Sequence, residues 1–430
     1  MKIAICTLGC KVNQYETQAM EGELRARGHQ LTAFDGPADA YIINTCTVTA
    51  VSDKKCRNII RRAKKQAPHA VVAVCGCYAQ TDPQAVAELG VDLISGTGDR
   101  MAFLDRLEGL LAHQDTPVVE VDRALARREF ERLPAGGMEG RTRAYLKVED
   151  GCVNFCSYCI IPYARGPIRS LPLEEAVAQA RALAQEGYRE LVLTGIEISS
   201  WGHDLKEGLT LIDLVEHLCQ AVPALRVRLG SLEPRTITED FCQRAAALPN
   251  LCPHFHLSMQ SGCDATLKRM NRKYDSTRYL QSVDLLRTYF HNPAITTDLI
   301  VGFPQETEEE FAQTLAFLWK CAFSSMHIFP YSRRPGTPAA DMEHQVPQAD
   351  KEARAQKAAE VAAQMEQAYL SGLVGQLLPV LFEEEKDGLW QGHAPNYVRV
   401  RAAGENLHNQ LRNVRITAVE HNALLGTLED

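Results

Sequence analysis

The stretch GCVNFCSYCIIPYARG, residues 151–166, carries three cysteines at the spacing C-x3-C-x2-C. Cys152, Cys156 and Cys159 are an odd number of thiols, so they do not match a disulfide framework, which pairs its cysteines. A four-cysteine zinc site would need a fourth thiolate nearby. Iron–sulfur clusters are normally held by four cysteines, so three leave one iron free to bind a group that is not protein. The spacing therefore indicates an iron–sulfur cluster with an open, reactive position.

The composition is that of a globular protein with several domains. At 430 residues the chain is too long for one ordinary core of roughly 100–200 residues, and we expect three domains. The start, MKIAICTLGC, lacks the apolar core and cleavage site of a secretory signal. No apolar run approaches the roughly 20 residues that a membrane helix needs. We therefore expect a cytoplasmic protein without membrane association.

Fourteen cysteines are many for a reducing compartment, where disulfides seldom persist. The clustered ones are better interpreted as metal ligands or redox groups. The single ones lie in apolar surroundings, and we expect small buried hydrophobes at Cys219, Cys242, Cys252, Cys263 and Cys321. A formal net charge of −8 argues against a generic nucleic-acid binder held by whole-molecule attraction, although local basic patches can still bind one.

Residues 1–120 alternate short β-branched segments with helical patterns, including a helix through Glu16 to Arg27. This alternation is typical of a parallel α/β sheet. Ligands of such sheets gather at the carboxyl ends of the strands. Cys10, Cys46 and Cys77 each follow a predicted strand. We therefore expect these three cysteines to converge on one edge of the sheet.

A linker rich in charge and glycine, Asp122 to Gly140, precedes a second domain over residues 138–368. This domain contains six candidate strands separated by helical patterns: AYLKVED, ELVLTGI, RVRLGSL, HFHLSMQ, TTDLIVGF and MHIFPYS. Six βα units fall short of the eight that close a complete barrel. The sequence therefore predicts an open, partial (β/α)6 barrel with its site at the carboxyl ends of the strands.

The remaining sequence predicts a connecting helix and a small β module. ADKEARAQKAAEVAAQMEQAYL is a run of helix formers. Residues 369–430 then show five short alternating segments separated by Gly, Asn and Asp, which is typical of a small all-β barrel. The fold class is thus α/β, with a parallel α/β sheet domain, a partial barrel and a C-terminal β-barrel.

The cysteine motif, with Tyr158 before its last cysteine, resembles that of the radical S-adenosylmethionine enzymes. The resemblance implies a [4Fe-4S] cluster on Cys152, Cys156 and Cys159, whose free iron is chelated by S-adenosylmethionine and whose electron cleaves it to a 5′-deoxyadenosyl radical. It also implies that three strand ends face this cofactor. The alternative is that these residues only cap helices at the top of the barrel. The expected contacts are Tyr158, Gly195, Glu197, Ser231, Glu233, Ser258 and Gln260.

TLGCKVNQYET, INTCTVT and GCYAQ resemble the three cluster motifs of the methylthiotransferase family. This implies a second [4Fe-4S] cluster with an open iron on Cys10, Cys46 and Cys77. VAVCGCYAQ also contains Cys75, but the family pattern places the ligand in GCYAQ, so we interpret Cys75 as a strand residue. Cys6 and Cys56 match no motif and are expected to be packing residues. RLGSLEP, HLSMQSGCDATLKRMNRKY, DLIVGFPQET and FPYSRRPGTPAA extend the resemblance through most of the chain.

The family acts on a modified adenosine next to the tRNA anticodon or on a ribosomal protein. TLGCKVNQYET, GCYAQ and FPYSRRPGTPA resemble the threonylcarbamoyladenosine branch. The resemblance implies that one S-adenosylmethionine methylates a sulfur on the N-terminal cluster, that a second is cleaved, and that the methylthio group reaches carbon 2 of adenine. It implies a flavodoxin or ferredoxin as electron donor, and no stable protein partner is evident. The isopentenyladenosine and ribosomal-protein branches remain alternatives, as does a cluster-bearing sensor or electron carrier without turnover.

Two basic segments predict contact with RNA, specifically the anticodon stem-loop. KKCRNIIRRAKK holds seven basic residues and no acid, and a contiguous basic helix can meet several phosphates. The alternative is a solvated helix face. The final β module resembles the TRAM domain, whose arginines could grip a stem from one face. Arg165 and Arg169 could balance a carboxylate or a phosphate, or could be surface residues. The RNA candidates are Lys54, Lys55, Arg57, Arg61, Arg62, Arg399, Arg401, Arg412 and Arg415.

Overall fold

A computed structural model describes residues 1–113, 117–135 and 142–429. The first unit is a parallel sheet between two helical layers. Its strands are β1 (Lys2–Thr7), β2 (Gln30–Thr32), β3 (Ala40–Thr45), β4 (Val71–Gly76), β5 (Leu93–Ser95) and β6 (Val118–Glu120). Its helices are α1 (Lys11–Ala26), α2 (Ala50–Gln66), α3 (Cys77–Thr81), α4 (Pro83–Ala87) and α5 (Arg100–His113).

All strands of this sheet are parallel, in the spatial order β2-β1-β3-β4-β5-β6. Tyr41 and Ile43 pack toward α2 and α4, whereas Ile42 packs toward α1 and α5, so β3 is buried on both faces. The strand order reverses between β1 and β3. Such a topological switch point opens a crevice at the carboxyl ends of the strands, which is where ligands of open α/β sheets bind.

Helix α1 begins five residues earlier than the sequence pattern indicated, at Lys11 instead of Glu16. Cys10 is its N-cap residue, and it follows Gly9, whose φ of +113° turns the chain sharply after β1. The expectation was wrong because Val12 and Asn13 are already buried on the same helical face as Tyr15. The first cysteine is therefore fixed at the start of a helix.

The second unit contains the predicted βα repeats. Its strands are β7 (Arg143–Lys147), β8 (Glu149–Asp150), β9 (Arg169–Ser170), β10 (Glu190–Thr194), β11 (Arg226–Arg228), β12 (Ser231–Leu232), β13 (His254–Leu257), β14 (Ala294–Val301) and β15 (Ser325–Pro330). Its helices are α6 (Ile161–Arg165), α7 (Leu173–Gln185), α8 (Leu211–Ala221), α9 (Glu239–Ala246), α10 (Asp264–Arg269), α11 (Ser276–Tyr289) and α12 (Glu308–Cys321).

The third predicted strand, RVRLGSL, is broken into β11 and β12. Its first half pairs with β10 and its second half pairs with β13, so the parallel strands form two sheets, β11-β10-β7 and β12-β13-β14-β15. Val227 still bridges to Leu251, just before β13. The six repeats thus form an open, partial barrel as predicted, with a change of strand neighbour in the middle.

The partial barrel has an apolar exterior and a polar interior, which we call the lumen. Side chains alternate along each strand, and Leu146, Leu191, Phe255 and Leu299 pack outward against the helices. The alternate positions face inward. The lumen is therefore lined by charged and hydrogen-bonding groups, among them Arg143, Glu190, Arg228, His254, His256, Thr296, Asp298 and His327.

Two further segments pack against β7, an edge strand of the partial barrel. Helix α1 lies against β7, where Tyr15 and Ala19 pack with Leu133 and Tyr145. Leu133 belongs to the segment that the sequence predicted as a linker, of which residues 136–140 lie outside the described part. Because Tyr15 Oη also donates to Leu133 O at 2.7 Å, the described part of this linker is a packed element.

Helix α13 (Gln348–Ser371) follows β15 and leads to a closed five-stranded barrel. The strands are β16 (Leu377–Lys386), β17 (Leu389–His393), β18 (Arg399–Ala402), β19 (Leu411–Glu420) and β20 (Ala423–Glu429), in the order β16-β17-β18-β20-β19. This barrel covers the amino-terminal end of the lumen, because Arg226 and Arg228 donate to the carbonyls of His393 and Pro395 at 3.2 and 2.7 Å. Among the described helices, none combines the length and the hydropathy needed to cross a bilayer.

Glu190 is the buried carboxylate that holds Arg226 and Arg228 in place, at 2.6 and 2.7 Å. Burial opposes its ionisation, but the two arginines lower its pKa to about 2. A carboxylate with a lowered folded-state pKa stabilises the fold above its ordinary pKa, and that contribution is lost as the pH falls.

We expect Glu190→Gln to lower the free energy of unfolding at neutral pH by up to about 3 kcal/mol, because the ion pairs are lost. Urea unfolding across a pH series measures this. As the pH falls from 4.5 toward about 2, the free energy of unfolding of the wild type should approach that of the variant. Glu360→Gln, an exposed change on α13, is the control. A difference in the free energy of unfolding that does not change with pH would contradict the lowered pKa of Glu190.

Candidate functional site

The C-x3-C-x2-C loop follows β8 and is held by backbone hydrogen bonds. Cys152 N donates to Gly166 O at 3.0 Å, and Cys159 N donates to Cys156 O at 2.9 Å. Gly151 has a φ of +99°, and a Cβ there would lie 2.0 Å from Pro167 O. Only glycine fits this position, so the sequence before the first cysteine is set by a close approach of two backbones.

The three thiols of this loop are suited to a metal centre. Burial raises the pKa of Cys152 and of Cys159 to about 12, so free thiols here stay protonated at neutral pH. Asn154 N approaches Cys152 Sγ at 3.5 Å, and Arg272 Nη1 approaches Cys156 Sγ at 3.3 Å. Donors that point at sulfur stabilise thiolates, which are the form that binds iron. The donor set therefore fits an iron–sulfur cluster with three protein ligands.

The carboxyl ends of β10, β12 and β13 surround the same loop. Burial raises the pKa of Glu197 to about 6, and the negative charge of nearby Glu233 acts in the same direction. Glu197 accepts from Ser199 N at 3.1 Å, and Glu233 accepts from Arg235 N at 3.0 Å. These carboxylates cap the short turns after their strands, as the alternative interpretation expected, and Glu197 also lies close enough to the cysteine loop for its charge to act on Cys152.

The other expected cofactor contacts lie at the same end. Ser231 is exposed and Ser258 is half-buried, whereas Gln260 is buried with a φ of +67°. A Cβ on Gly195 would lie 2.8 Å from Glu149 Oε2, so glycine permits this close approach. Tyr158 packs edge-on against Phe303, with the ring centroids 6.4 Å apart. All seven residues therefore share the top of the partial barrel with the cysteine loop.

Cys10, Cys46 and Cys77 meet at the carboxyl edge of the first sheet, as predicted. Cys10 follows β1 and Cys46 follows β3, on the two sides of the switch point, and Cys77 begins α3 after β4. A Cβ on Gly9 would lie 3.0 Å from Cys46 Sγ, which shows how closely the first two segments approach. Burial raises the pKa of the Cys77 thiol to about 11, and Cys10 and Cys46 lie close enough for their thiolates to raise it further.

The remaining cysteines are separate from this edge. Cys75 is fully buried within β4, between two neighbouring strands, as the strand interpretation expected. Cys56 is fully buried and donates from Sγ to Cys46 O at 3.3 Å. Cys6 is half-buried. The single cysteines are all buried as expected, namely Cys219, Cys242, Cys252, Cys263 and Cys321. Within the described ranges, no three His, Cys, Asp or Glu side chains are placed to bind a single metal ion, whereas the cysteines of an iron–sulfur cluster each bind a different iron.

A buried ionic cluster connects the two cysteine sites, and Glu16 of α1 is its centre. Glu16 binds Arg100 Nη2 at 2.7 Å and Lys147 Nζ at 3.1 Å, and it also accepts from Arg165 Nη1. Burial opposes its ionisation, yet these three cations hold the pKa of Glu16 well below its ordinary value. Asp150 adds a second carboxylate, at 2.9 Å from Lys147 Nζ. We call this group the Glu16 cluster.

Arg165 links the Glu16 cluster directly to sulfur. Its Nε lies 3.4 Å from Cys77 Sγ, and its Nη2 donates to Asn13 Oδ1 at 2.7 Å. Arg165 and Arg169 are both buried, and Arg169 pairs with Asp150 at 3.3 Å, so the interpretation as carboxylate partners was right and the surface alternative was wrong. Since Arg165 ends the same short segment that begins at Cys152, it joins the barrel cysteines to the N-terminal cysteines.

A second ion pair joins the same two units on the other side. Arg334, in the loop after β15, binds Asp53 of α2 and Thr47, and all three are buried. Thr47 Oγ1 in turn donates to Asp53 Oδ1 at 2.8 Å. Because Thr47 directly follows Cys46, the partial barrel also fixes the backbone of the second cysteine segment.

The basic helix predicted from KKCRNIIRRAKK is α2, and it is amphipathic. Lys54, Lys55, Arg61 and Arg62 are exposed, although Arg62 pairs with Asp35 at 2.9 Å. Arg57 is half-buried and donates to Tyr78 Oη at 3.1 Å. The helix thus presents a basic outer face beside Cys46 and Cys77.

The C-terminal arginines do not share one face. Arg399 and Arg401 alternate with buried Val400 and point outward from the barrel. Arg415 also points outward, between buried Val414 and Ile416. Arg412 lies on the opposite face of β19, because it is three residues from Arg415 and the strand repeats every two. Arg401 and Arg415 pair with Glu420 and Glu429, at 3.1 and 2.8 Å. The expectation of a common arginine face was wrong on this point.

Several site residues were not selected from the sequence. Arg272 lies within the quoted KRMNRKY motif, and it bridges Cys156 Sγ and Ser258 O, the latter at 3.1 Å. Glu16 and Asn13 belong to the quoted TLGCKVNQYET, where their proximity to Cys10 was the available signal. Glu149, fully buried beside the loop, has an Oε1 atom without a hydrogen-bond partner among the described residues.

Glu16→Gln should destabilise the fold strongly, because it leaves three buried cations facing one carboxylate fewer. Breaking a buried ion pair costs about 3–5 kcal/mol. We expect a clear fall in the urea midpoint, followed by the fluorescence of buried Trp201. The control is Glu23→Gln, which removes a partly exposed pair with Arg27 on the same helix. Such pairs contribute about 0–1 kcal/mol, so equal effects would contradict a central role for Glu16.

Comparison with protein families covers both α/β units. Residues 2–96 match the model described as uncharacterized protein family UPF0004. Residues 146–318 match the radical SAM superfamily. The first match spans the segments that carry Cys10, Cys46 and Cys77. The second spans the C-x3-C-x2-C loop and most of the partial barrel.

Whole-chain relatives are also found. The threonylcarbamoyladenosine tRNA methylthiotransferase MtaB of Bacillus subtilis is 39% identical over 96% of this chain and 93% of its own length. The tRNA-2-methylthio-N(6)-dimethylallyladenosine synthase of Acetivibrio thermocellus is 33% identical over 98% of this chain and 90% of its own length. In fold, the chain resembles the radical S-adenosylmethionine methyltransferase TsrM from Kitasatospora setae, with a TM-score of 0.57 and 15% identity over 79% of this chain and 75% of that one.

Proposed function

The chain belongs to the radical S-adenosylmethionine tRNA methylthiotransferases, and from this premise we propose that its substrate is N6-threonylcarbamoyladenosine next to the anticodon, methylthiolated at carbon 2. The relative named for threonylcarbamoyladenosine is 39% identical, compared with 33% for the relative named for dimethylallyladenosine. Both identities extend over nearly the whole chain. This difference in identity supports the proposal but is modest. The main support is the polar lining of the lumen.

The polar lumen is the observation that favours this substrate. A dimethylallyl group is apolar, whereas a threonylcarbamoyl group carries amide, hydroxyl and carboxylate groups. His256 faces the lumen, with its Nδ1 atom 3.0 Å from Thr296 Oγ1 and its Nε2 atom 3.3 Å from Asp298 Oδ2. The ring of His327 lies 6.4 Å from that of His256. Burying an apolar substituent against such groups would remove them from water without offering them any new partner, which costs free energy.

We propose two cluster sites on this chain. Cys152, Cys156 and Cys159 would hold the [4Fe-4S] cluster that with S-adenosylmethionine supplies the radical chemistry, and Cys10, Cys46 and Cys77 would hold a second. Arg272 beside Cys156 and Arg165 beside Cys77 offset thiolate charge at the two sites. Tyr158, Gly195, Glu197, Ser231, Glu233, Ser258 and Gln260 would bind S-adenosylmethionine.

The base would enter the carboxyl end of the lumen, between the two cysteine sites. An anticodon-loop base is already single-stranded or easily unstacked, so entry costs little free energy. Val153, Phe155, Tyr163 and Phe329 are exposed large side chains that could contact a base or ribose. The exposed face of α2 would meet backbone phosphates, with Lys54, Lys55 and Arg61 among its exposed cations. A flavodoxin or ferredoxin would supply the electron.

Cys77 and Cys75 provide a direct test of the N-terminal cluster. After anaerobic reconstitution with iron and sulfide, Cys77→Ser should lose about four iron atoms per chain, which is one cluster. Cys75→Ser should keep its iron, because Cys75 is buried within the sheet. Iron and sulfide analysis with Mössbauer spectroscopy measures both. The opposite pattern would move the ligand to Cys75, and full iron in both variants would reject this site.

The function is tested by mass spectrometry of tRNA nucleosides from cells that lack the gene. We expect the methylthio form of threonylcarbamoyladenosine to be absent and to return with wild type, but not with Cys152→Ala. Cys219→Ala, a change at a buried packing cysteine, should restore it. If that nucleoside persists in the deletion while methylthio-isopentenyladenosine disappears, the substrate assignment is wrong. If neither nucleoside changes, the ribosomal-protein branch becomes the explanation.

A further inference from the structure

The amino-terminal end of the lumen is lined by a basic cluster of side chains from all three units, which we call the lumen floor. Arg143 of β7 and Arg228 of β11 lie on either side of the Tyr397 ring, with guanidinium carbons 5.4 and 4.6 Å from its centroid. Tyr397 comes from the β17–β18 loop of the C-terminal barrel. Lys11, the first residue of α1, lies close enough to these residues for electrostatic interaction with Arg143, Arg228, Tyr397 and Glu190.

The lumen floor has more positive than negative charge. Four cations, Lys11, Arg143, Arg226 and Arg228, face two carboxylates among the described residues, Glu190 and Glu383. Glu190 forms ion pairs with both Arg226 and Arg228, whereas Arg143 pairs with Glu383 at 3.0 Å. Glu383 is in turn 2.7 Å from His393 Nδ1. Lys11 adds a further cation, and the floor carboxylate that acts on it, Glu190, already binds both Arg226 and Arg228.

The same place contains an unsatisfied polar atom. His254 of β13 is only 7% exposed, and its Nδ1 has no hydrogen-bond partner among the described residues. Its ring lies tilted against that of Tyr397, with the centroids 5.1 Å apart and an interplanar angle of 40°. Burial keeps the pKa of His254 well below its ordinary value, so the ring is neutral and one nitrogen carries a proton. Buried polar atoms normally have partners, so an atom without one points to an absent ligand.

We propose that the lumen floor binds the carboxylate of the threonine arm of the substrate, with Lys11 and Arg143 as its cationic partners. This inference rests on the proposed function, because it assigns a site to one group of that substrate. A carboxylate would compensate the excess charge and could accept from His254. Charge-assisted hydrogen bonds of this kind are stronger than neutral ones.

The geometry of the barrel suits an extended substituent. Arg143 lies four strand residues below Lys147 on β7, which corresponds to about 13 Å at 3.3 Å per residue. Lys147 belongs to the Glu16 cluster beside the cysteine sites. The threonylcarbamoyl arm is shorter than this distance, so a base held there would direct its N6 arm down the lumen and the long side chains of Lys11 and Arg143 would extend to meet it. Lys11 immediately follows Cys10 and reaches toward the floor from the same level.

The C-terminal barrel then has a second role besides any contact with RNA. Its loop residues His393–Tyr397 supply carbonyl acceptors for Arg226 and Arg228, and Tyr397 keeps both Arg143 and Arg228 in position. The floor would therefore be incomplete without this barrel. Specificity for the arm would depend on a module that is distant in sequence from both cysteine motifs.

The test uses two anticodon stem-loop RNAs that differ only in the arm. One carries N6-threonylcarbamoyladenosine, and the other carries the same group with its carboxylate replaced by a neutral amide. Anaerobic binding to reconstituted full-length protein is measured by fluorescence anisotropy. We expect wild type to bind the carboxylate RNA about tenfold tighter or more, as a charged hydrogen bond implies. Lys11→Gln and Arg143→Gln should each reduce this ratio toward one.

Lys357→Gln is the matched control, because it removes an exposed positive charge from α13 and should keep the wild-type ratio. The iron content of each variant separates loss of the carboxylate contact from loss of the cluster beside Lys11. An equal affinity of wild type for both RNAs would overturn the inference, as would an unchanged ratio in both variants. Methylthiolation of the carboxylate RNA by wild type would in that case leave the proposed function intact. Methylthiolation of an isopentenyl RNA alone would instead reject the proposed function.

Discussion

The buried carboxylate of Glu16 is the constraint on which the arrangement of this protein depends. It lies on the first helix and is surrounded by cations from three other segments, Arg100, Lys147 and Arg165. None of these charges can be exposed to water without separating the first sheet from the partial barrel. Because an unpaired buried charge is costly, the cluster is either complete or broken, and the two units are held in one relative position.

This constraint has a chemical consequence. Arg165 connects Glu16 to Cys77 Sγ and terminates the segment that begins at Cys152. Asn13 connects the same arginine to the helix that begins just after Cys10. The two cysteine sites are therefore positioned by one set of hydrogen bonds. For a reaction in which a group held at one site meets a radical generated at the other, such fixed geometry shortens the search for a reactive arrangement.

The sequence predicted the architecture well where it depends on local periodicity. Six βα repeats, a long connecting helix and five short terminal strands are all present. Errors occurred where a boundary depends on tertiary contacts. Helix α1 begins at Lys11 because its first turn is buried against the sheet and the barrel, and RVRLGSL is divided because its two halves pair with different neighbours. The arginines of β19 were misjudged for a simpler reason, since their spacing of three residues places them on opposite faces.

The sequence by itself determined the cysteine spacing, the order of the elements and the family, because these are properties of residue type and position along the chain. Only the tertiary structure decided which charges are paired. From the sequence, Arg165 and Arg169 could equally have been surface residues, and nothing indicated that Tyr397 contacts Arg143 and Arg228. The physical reason is that the free energy of a charged or polar side chain depends on its partners and its burial, and here the partners lie more than a hundred residues away. Hydrophobic periodicity can be recognised locally, whereas electrostatic complementarity appears only after the chain has folded.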